Sequence, residues 1–524
     1  MADHKLAPRT YLPLIPTLLI LAILIAATGL RATHLTTWPP GLSRDEAIDG
    51  LDAFAMAQTG SMPLYLRDGR PEPVHRLLAV FTVGLIGPST FSLRLVSVYF
   101  GVLSVAAAYR AGRHMTPNPF PEVGEVESSG GVSWRRLAGL AAAGALAVML
   151  GAIHLSRVSY RGMLLPFAAL MWFDAFIVAW QTRQRRDFVI AGAWLGAVGL
   201  TYTSGLAALP VALLGVLVVG ARRAVPLRKA IEGALWMFLA ALIVYSPMLI
   251  LLAIQPGLFY RAAEVSRSQS LLSQIPRLWR GVINTWQTMY KVGDINPQYN
   301  TAQAPLLYWK PLYWLLITGM AACVLRWRRL ASWLALGLLA AMLLPVAATN
   351  EIPHGLRIVG EYAPVPLILA ANVDLAAWLA GRLRSIQWQA WIKAGVGAAF
   401  SVLLVIAGIR SWTMMRDYFA SDFRWGDGVI SGWTWFFETR AQTIAQEIAA
   451  SDQVVYVPLS VVVQPAFRYF MLASHPKITT FAHYFGRKGA LDLPAGRFLI
   501  PPDQRDVTTF AAFMPDGTLV LLPR

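Results

Sequence analysis

Apolar runs long enough to cross a bilayer recur along this chain, and they constrain its fold more than any other feature. A membrane-spanning helix needs about 20 predominantly apolar residues. Eleven stretches qualify, at roughly 12–30, 90–110, 136–153, 162–181, 188–204, 206–221, 230–254, 306–325, 330–347, 359–380 and 392–411. Composition agrees. Of 524 residues, 56% are hydrophobic and only 14% charged, where a soluble domain carries about 25% charged residues. The mean hydropathy is +0.51. The expected fold is a polytopic α-helical membrane protein of about eleven transmembrane helices. The first run follows Lys5 and Arg9 as a signal peptide would, but it is long for that role and no cleavage site follows, so it reads as an anchor.

The net charge of +17 does not point to nucleic acid, because no basic stripe with interleaved aromatics occurs. The basic residues fall between apolar runs. With the N-terminus cytoplasmic, every inside loop is basic, from Arg110, Arg113, Arg135 and Arg136 through Arg183, Arg185 and Arg186 to Arg382, Arg384 and Lys393. That is the positive-inside pattern of a multi-pass protein of the cytoplasmic membrane. An odd number of spans puts the C-terminus outside. The lone Cys323, inside an apolar run, leaves no disulfide and no cysteine metal site.

Three outside segments are long: about 31–89, 255–305 and 412–524. The last alternates helical and strand-like stretches, RAQTIAQEIAAS, QVVYVPL, RFLIPP and TLVLLP. It reads as a small external α/β domain. The linear division is therefore a transmembrane domain over 1–411, with its first external loop at 31–89, and an external domain over 412–524. The tail lacks a nucleotide-binding glycine loop, and no internal repeat marks an inverted-repeat transporter.

The first outside loop opens with GLSRDEAIDGLDAFAMAQ. Ile48, Leu51 and Ala55 recur at helical spacing, which predicts an amphipathic helix lying at the interface. Ser43 and Glu46 fit a capping box. Asp45, Asp49 and Asp52 share one face, which as a helix surface reads as solvated and acidic. A second element follows in which Pro71 and Pro73 bracket Glu72, and His75 and Arg76 lead an apolar run. Arg94, inside the second span, reads as an arginine that snorkels to the interface.

These elements in this order resemble a known group: the DE pair after the first span, the acidic-Pro element, then IGP…RL…G. The likeness continues through HLSRVSYRGMLLPFAAL (154–170), GLTYTSGLAALP (199–210), YSPMLILLAIQPGLFYRAAEVS (245–266) and EIPHGLRIVGEYAPVPL (351–367). The chain resembles the protein O-mannosyltransferase and aminoarabinose-transferase branch of the GT-C membrane glycosyltransferases, and within it the "RgtA/B/C/D-like" proteins. The resemblance covers about 10–420. It departs from the pattern at Val74-His75-Arg76, where relatives place an aromatic residue.

The resemblance implies inverting transfer of a sugar from a polyprenyl-phosphate donor to a hydroxyl on a lipid, glycan or protein, on the extracytoplasmic face. By that likeness Asp45 is the general base, with Glu46 beside it as a catalytic or acceptor-holding group. A lipid phosphate is a good leaving group, so one carboxylate suffices, unlike the acid–base pair of a glycosidase. Cations should neutralise the departing phosphate. Glu72, His75, Arg76, Arg157, Arg161, Asn350, Glu351, His354 and Arg357 all fall at outer ends of spans in this topology. Arg357 and His354 are the expected phosphate contacts, with Arg76 third. Arg157 and Arg161, at i and i+4, read as a pair aimed at one anion. No cofactor is required. A divalent metal is compatible with the chemistry, although no HxxxH or HExxH cluster occurs. A flippase or transporter of polyprenyl-linked glycans, a ligase or polymerase of such glycans, and a non-catalytic scaffold are the competing readings.

Overall fold

The computed structural model describes residues 14–61, 72–116, 132–222, 226–254, 271–294, 299–348, 354–383, 385–420, 435–453, 455–474, 497–498, 510–513 and 519–521. All eleven apolar stretches fall on helix. Among the described residues eight helices are long and apolar enough to cross a bilayer: α1 (Leu14–Ala32), the helices within Thr90–Met115, Arg161–Thr182, Thr203–Ala221, Leu227–Ile254, Leu330–Ala347 and Arg357–Ala380, and the long one within Gln387–Ala420. A bent pair, α5 (Trp134–Val148) and α6 (Leu150–Ser156), makes a ninth if it is one span. The other two expected spans are shorter helices, α8 (Arg185–Thr201) and Lys310–Leu325, of 17 and 16 residues. Against the expected eleven spans, the described residues thus hold eight, or nine with the bent pair.

The chain divides into two compact units. The first comprises Met1–Thr33, Tyr99–Leu155 and Gly162–Met414. Its most informative joint is the 62° bend between α5 and α6. Met149 turns to an extended ψ of 113°, which frees the last carbonyls of α5. In lipid such carbonyls need partners from the protein. Arg31, fully buried, donates to the Leu146 and Ala147 carbonyls, each at 3.0 Å. The Ser411 hydroxyl donates to the Val148 carbonyl at 2.8 Å.

The second unit comprises His34–Val98, Ser156–Arg161 and Met415–Arg524. The segment expected as the first outside loop thus clusters with the tail. Here α2 (Arg44–Thr59) packs on α3 (Pro73–Ile86) and on the tail helix Pro465–Ser474. The tail also holds helix Trp435–Ala449 and a sheet of β1 (Val455–Pro458), β2 (Arg497–Phe498), β3 (Phe510–Phe513) and β4 (Leu519–Leu521). The order is β2-β1-β3-β4, with β1 and β2 parallel and the other pairs antiparallel. β1, β2 and β4 fall on stretches that the sequence marked, and β3 on one that it did not.

Candidate active site

The site starts from the N-terminus of α2. Ser43 caps it: its hydroxyl accepts the Glu46 N–H, and Glu46 Oε2 accepts the Ser43 N–H at 2.9 Å. The capping box expected from S-x-x-E is present. Glu46 does more than cap. Its Oε1 accepts Arg94 Nε at 3.0 Å and the Ser159 N–H at 2.8 Å. Arg94 also donates to the Leu35, Pro39 and Gly41 carbonyls. Both side chains are buried. Arg94 therefore does not snorkel; it pins the incoming loop, α2 and residues 156–161 together. In a dry site an ion pair persists only with its remaining bonding capacity filled, as here.

The acidic face of α2 is only partly solvated: Asp49 is buried, while Asp45 and Asp52 stay partly exposed. Asp49 is 1% exposed, while Ile48 and Leu51 are half-buried and Ala55 is exposed. The buried side of α2 carries Glu46, Ala47, Asp49, Gly50, Ala53 and Met56, so it is not the expected Ile48–Leu51–Ala55 stripe and it takes in one carboxylate of the acidic face, Asp49. The reason is the partner surface. Arg161 stands 3.9 Å from Asp49 and 2.9 Å from Glu72, and Arg76 stands 3.9 Å from Asp52. Gly50, on the same inward side, leaves room for the Tyr469 ring; a Cβ there would meet it at 2.7 Å. Tyr469 in turn donates its hydroxyl to the Ser89 carbonyl. Asp45, one turn before Asp49, stays partly exposed.

His75 heads α3, fully enclosed. Its Nε2 lies 3.2 Å from the Ser97 hydroxyl, which also accepts the Tyr160 N–H at 3.0 Å. Burial first, then Arg161 and Arg76, hold its pKa down to about 3, so the ring is neutral at physiological pH. Its Nδ1 has no hydrogen-bond partner among the described residues. Residues 157–160 are not helical, so Arg157 and Arg161 are not one helical turn apart. Arg157 Nε donates to the Trp38 carbonyl, and Arg161 goes to Glu72 and Asp49 instead. The two do not form the expected single anion clamp. Burial, then Arg94, lowers the Arg157 pKa to about 10, which leaves it cationic at pH 7.

His354 and Arg357 belong to the first unit. They share one turn: Arg357 N–H donates to the His354 carbonyl at 3.1 Å. His354 stacks on Tyr299, ring centroids 5.3 Å apart. Asp294 holds the turn by accepting the Gly355 N–H at 2.6 Å, and Asn300 braces the Asp294 and Ala304 carbonyls. A cavity of about 20 Å³, lined among others by Asp294, Asn300, His354 and Tyr362, lies beside them. That is room for about one water. Asn350 and Glu351 lie outside the described residues.

Sequence reasoning missed Asp49, Ser97, Asp294 and the holding role of Arg94. Arg94 alone left a clear signal, since a charge inside an apolar span marks a specific partner. Among the described residues no three His, Cys, Asp or Glu side chains stand close enough together to hold a metal ion.

No family model and no curated protein matches the chain. Solved structures do. The oligosaccharyltransferase AglB of Archaeoglobus fulgidus, in complex with an inhibitory peptide and a dolichol-phosphate, aligns with a TM-score of 0.51 at 15% identity. The alignment covers 77% of this chain and 55% of that one, so the chain spans about half the length of the oligosaccharyltransferase. ArnT of Cupriavidus metallidurans, bound to undecaprenyl phosphate, aligns at a TM-score of 0.47 and 16% identity, over 88% of this chain and 84% of that one. At 15% identity the likeness to the oligosaccharyltransferase is one of fold: this chain has the fold of the GT-C membrane glycosyltransferases.

Proposed function

We propose that the protein transfers a sugar from a polyprenyl-phosphate donor to an acceptor hydroxyl on a lipid, glycan or protein, at the extracytoplasmic face of the cytoplasmic membrane. The observation that carries the reading is the buried pairing of Asp49, on the acidic face of α2, and Glu72 with Arg161, in a chain with the GT-C fold. Burying carboxylates and guanidiniums together is costly, and at membrane depth such groups usually line a cavity.

Asp45 is the general base. It is the carboxylate of this face that combines the DE position with access to solvent. It takes the proton of the acceptor hydroxyl as that oxygen bonds to the anomeric carbon. The bond from this carbon to the phosphate oxygen breaks on the opposite side, and its electron pair leaves with the polyprenyl phosphate. Arg357 and His354 meet the phosphate. Glu46 holds the scaffold through Arg94, and Asp49 with Glu72 orients Arg161. His75 Nδ1 is a spare bonding atom for a sugar hydroxyl.

The test is transfer from a synthetic polyprenyl-phosphate sugar by protein in proteoliposomes, with the acceptor drawn from the cell envelope. Released polyprenyl phosphate together with glycosylated acceptor supports the reading. Movement of intact donor between leaflets without cleavage would replace it with a flippase, and use of oligosaccharide donors alone would make it a ligase. The face is tested by single cysteines in a Cys323-free protein. Arg183→Cys should resist an impermeant thiol reagent in intact cells, and Asp452→Cys should react. The reverse pattern overturns the orientation.

A further inference from the structure

Away from the carboxylates of α2, the first unit gathers five arginines at the ends of neighbouring helices. Arg222 follows the helix within Thr203–Ala221, and Arg326, Arg328 and Arg329 join Lys310–Leu325 to Leu330–Ala347. Arg382 follows the helix within Arg357–Ala380. Two tryptophans organise them. The guanidinium carbons of Arg222 and Arg328 lie 5.5 and 5.7 Å from the centre of the Trp327 ring. Those of Arg326 and Arg382 lie 5.6 and 3.7 Å from a ring centre of Trp378. Asp374 pairs with Arg329 and, at 3.4 Å, with Arg326.

The bonds of these arginines are spent unequally. Arg222 donates to the Trp327 and Arg328 carbonyls at 2.9 and 2.6 Å. Arg326 and Arg329 share the one carboxylate, Asp374. Arg328 and Arg382 are exposed, and among the described residues neither makes a hydrogen bond or an ion pair. A guanidinium laid on an aromatic face keeps its fork of N–H donors for a phosphate or carboxylate. Like charges held around one ring repel each other, and an anion between them removes that cost.

The surroundings select the anion. Leu325, Leu379 and Leu383, beside these arginines in the chain, are exposed, as is the Trp327 side chain. A free phosphate or an acidic peptide would match the charge and leave this apolar rim uncovered. A phospholipid matches both, with its phosphate on the guanidiniums and its acyl chains along the leucines. Basic pockets between membrane helices hold acidic headgroups in this way.

We infer that this cluster is a binding site for an acidic phospholipid, with Arg328 and Arg382 as its phosphate contacts. The proposed orientation places it in the cytoplasmic leaflet. The site does not depend on the glycosyl-transfer reading, so a protein that transfers no sugar should still hold the lipid.

The test is native mass spectrometry of protein from detergent micelles that contain equal phosphatidylglycerol and phosphatidylcholine. The wild type should retain phosphatidylglycerol in preference. Arg328→Gln and Arg382→Gln should each weaken that retention about fivefold, and the double variant about thirtyfold. Melting in lipid-free detergent should not change, since neither side chain holds a hydrogen bond. Should the double variant not fold, the single variants decide. The control removes two charges elsewhere: Arg228→Gln with Lys229→Gln, at the start of helix Leu227–Ile254, which packs on α8. It should retain phosphatidylglycerol as the wild type does. Equal retention of the two lipids, or an equal loss in the control, overturns the site. Release of the lipid by millimolar inorganic phosphate would reduce it to a simple anion site. Binding of a polyglutamate peptide without lipid would make it a protein contact, and either result overturns the inference.

Discussion

At the bend between α5 and α6, Arg31 spends its guanidinium on the backbone carbonyls of Ala27, Leu146 and Ala147. Around α2, Arg161 stands 2.9 Å from Glu72 and 3.9 Å from Asp49, and Arg76 stands 3.9 Å from Asp52. Both regions bury arginine in a chain that crosses a membrane, yet they do different jobs. Where the donors are saturated by backbone, the charge repairs a broken helix and has nothing left for a ligand. Where they face carboxylates, the pairs can be rearranged by a substrate that brings its own charge or hydroxyls. Burial of charge by itself therefore does not mark a site; the way its bonds are spent does. Arg94 lies on the structural side of this line although it sits among the site residues, because carbonyls and Glu46 fill it.

The comparison breaks most sharply on Asp45. If the carboxylate-facing region is the site, Asp45→Asn should lower turnover by about 10²–10⁴, with donor affinity nearly unchanged because Asn keeps the shape. Arg357→Ala should weaken donor affinity as well, since the phosphate is charged in both ground and transition states. Wild-type turnover in Asp45→Asn with an inactive Asp49→Asn would move the base one turn along the helix.

Next in size is Glu46→Gln. The amide could still cap α2, but it would leave Arg94 charged and uncompensated in a dry site, at a cost of about 3–5 kcal/mol. Thermal unfolding in detergent should show the loss; an unchanged melting temperature would mean that the Arg94 carbonyl contacts suffice. Arg31→Met should cost a comparable amount, about 1–3 kcal/mol for each of the two α5 carbonyls left bare. KM should stay unaltered. A KM change in Arg31→Met would erase the distinction between the two regions.

Gly50→Ala tests whether the tail holds the site helix. Its new methyl meets the Tyr469 ring and Leu93, and overpacking of this kind costs about 1–3 kcal/mol. Tyr469→Ala in the same protein should restore part of the loss. Additive losses in the double variant would remove Tyr469 from the account.

The smallest effect concerns His75. The folded protein keeps this ring neutral down to about pH 3, whereas the unfolded chain protonates it near about 6.5. The unfolded state thus binds more protons below about pH 6.5, and stability falls as pH drops. Between pH 7 and pH 5 the loss from this group is roughly 2 kcal/mol. His75→Gln should flatten that part of the stability profile; an equally steep profile would assign it to other groups.

Much of the membrane unit was legible in the sequence. Every apolar stretch became helix, because lipid leaves the backbone no partner outside its own ladder. The Ser43–Glu46 box was legible for a similarly local reason, as donor and acceptor lie within one turn. The inward side of α2 was not. Ile48, Leu51 and Ala55 make the usual apolar stripe, and only partners far along the chain, Arg94, Ser159, Arg161 and Tyr469, turn the other side inward. The pairing of Arg157 with Arg161 failed because helix periodicity was assumed across residues that are not helical.

What the sequence by itself determined, then, was the solvent of each segment: which runs lie in lipid, which loops carry positive charge and where a helix begins. These follow from transfer free energies and hydrogen bonds within one turn, and they need no knowledge of distant residues. The tertiary structure alone decided the site. It bent the span at Met149, repaired the bend with Arg31 and Ser411, and rolled α2 so that Asp49 met Arg161. Electrostatic pairing in a dry interior depends on residues tens to hundreds of positions apart arriving at the same few ångströms, and no local periodicity encodes that arrival.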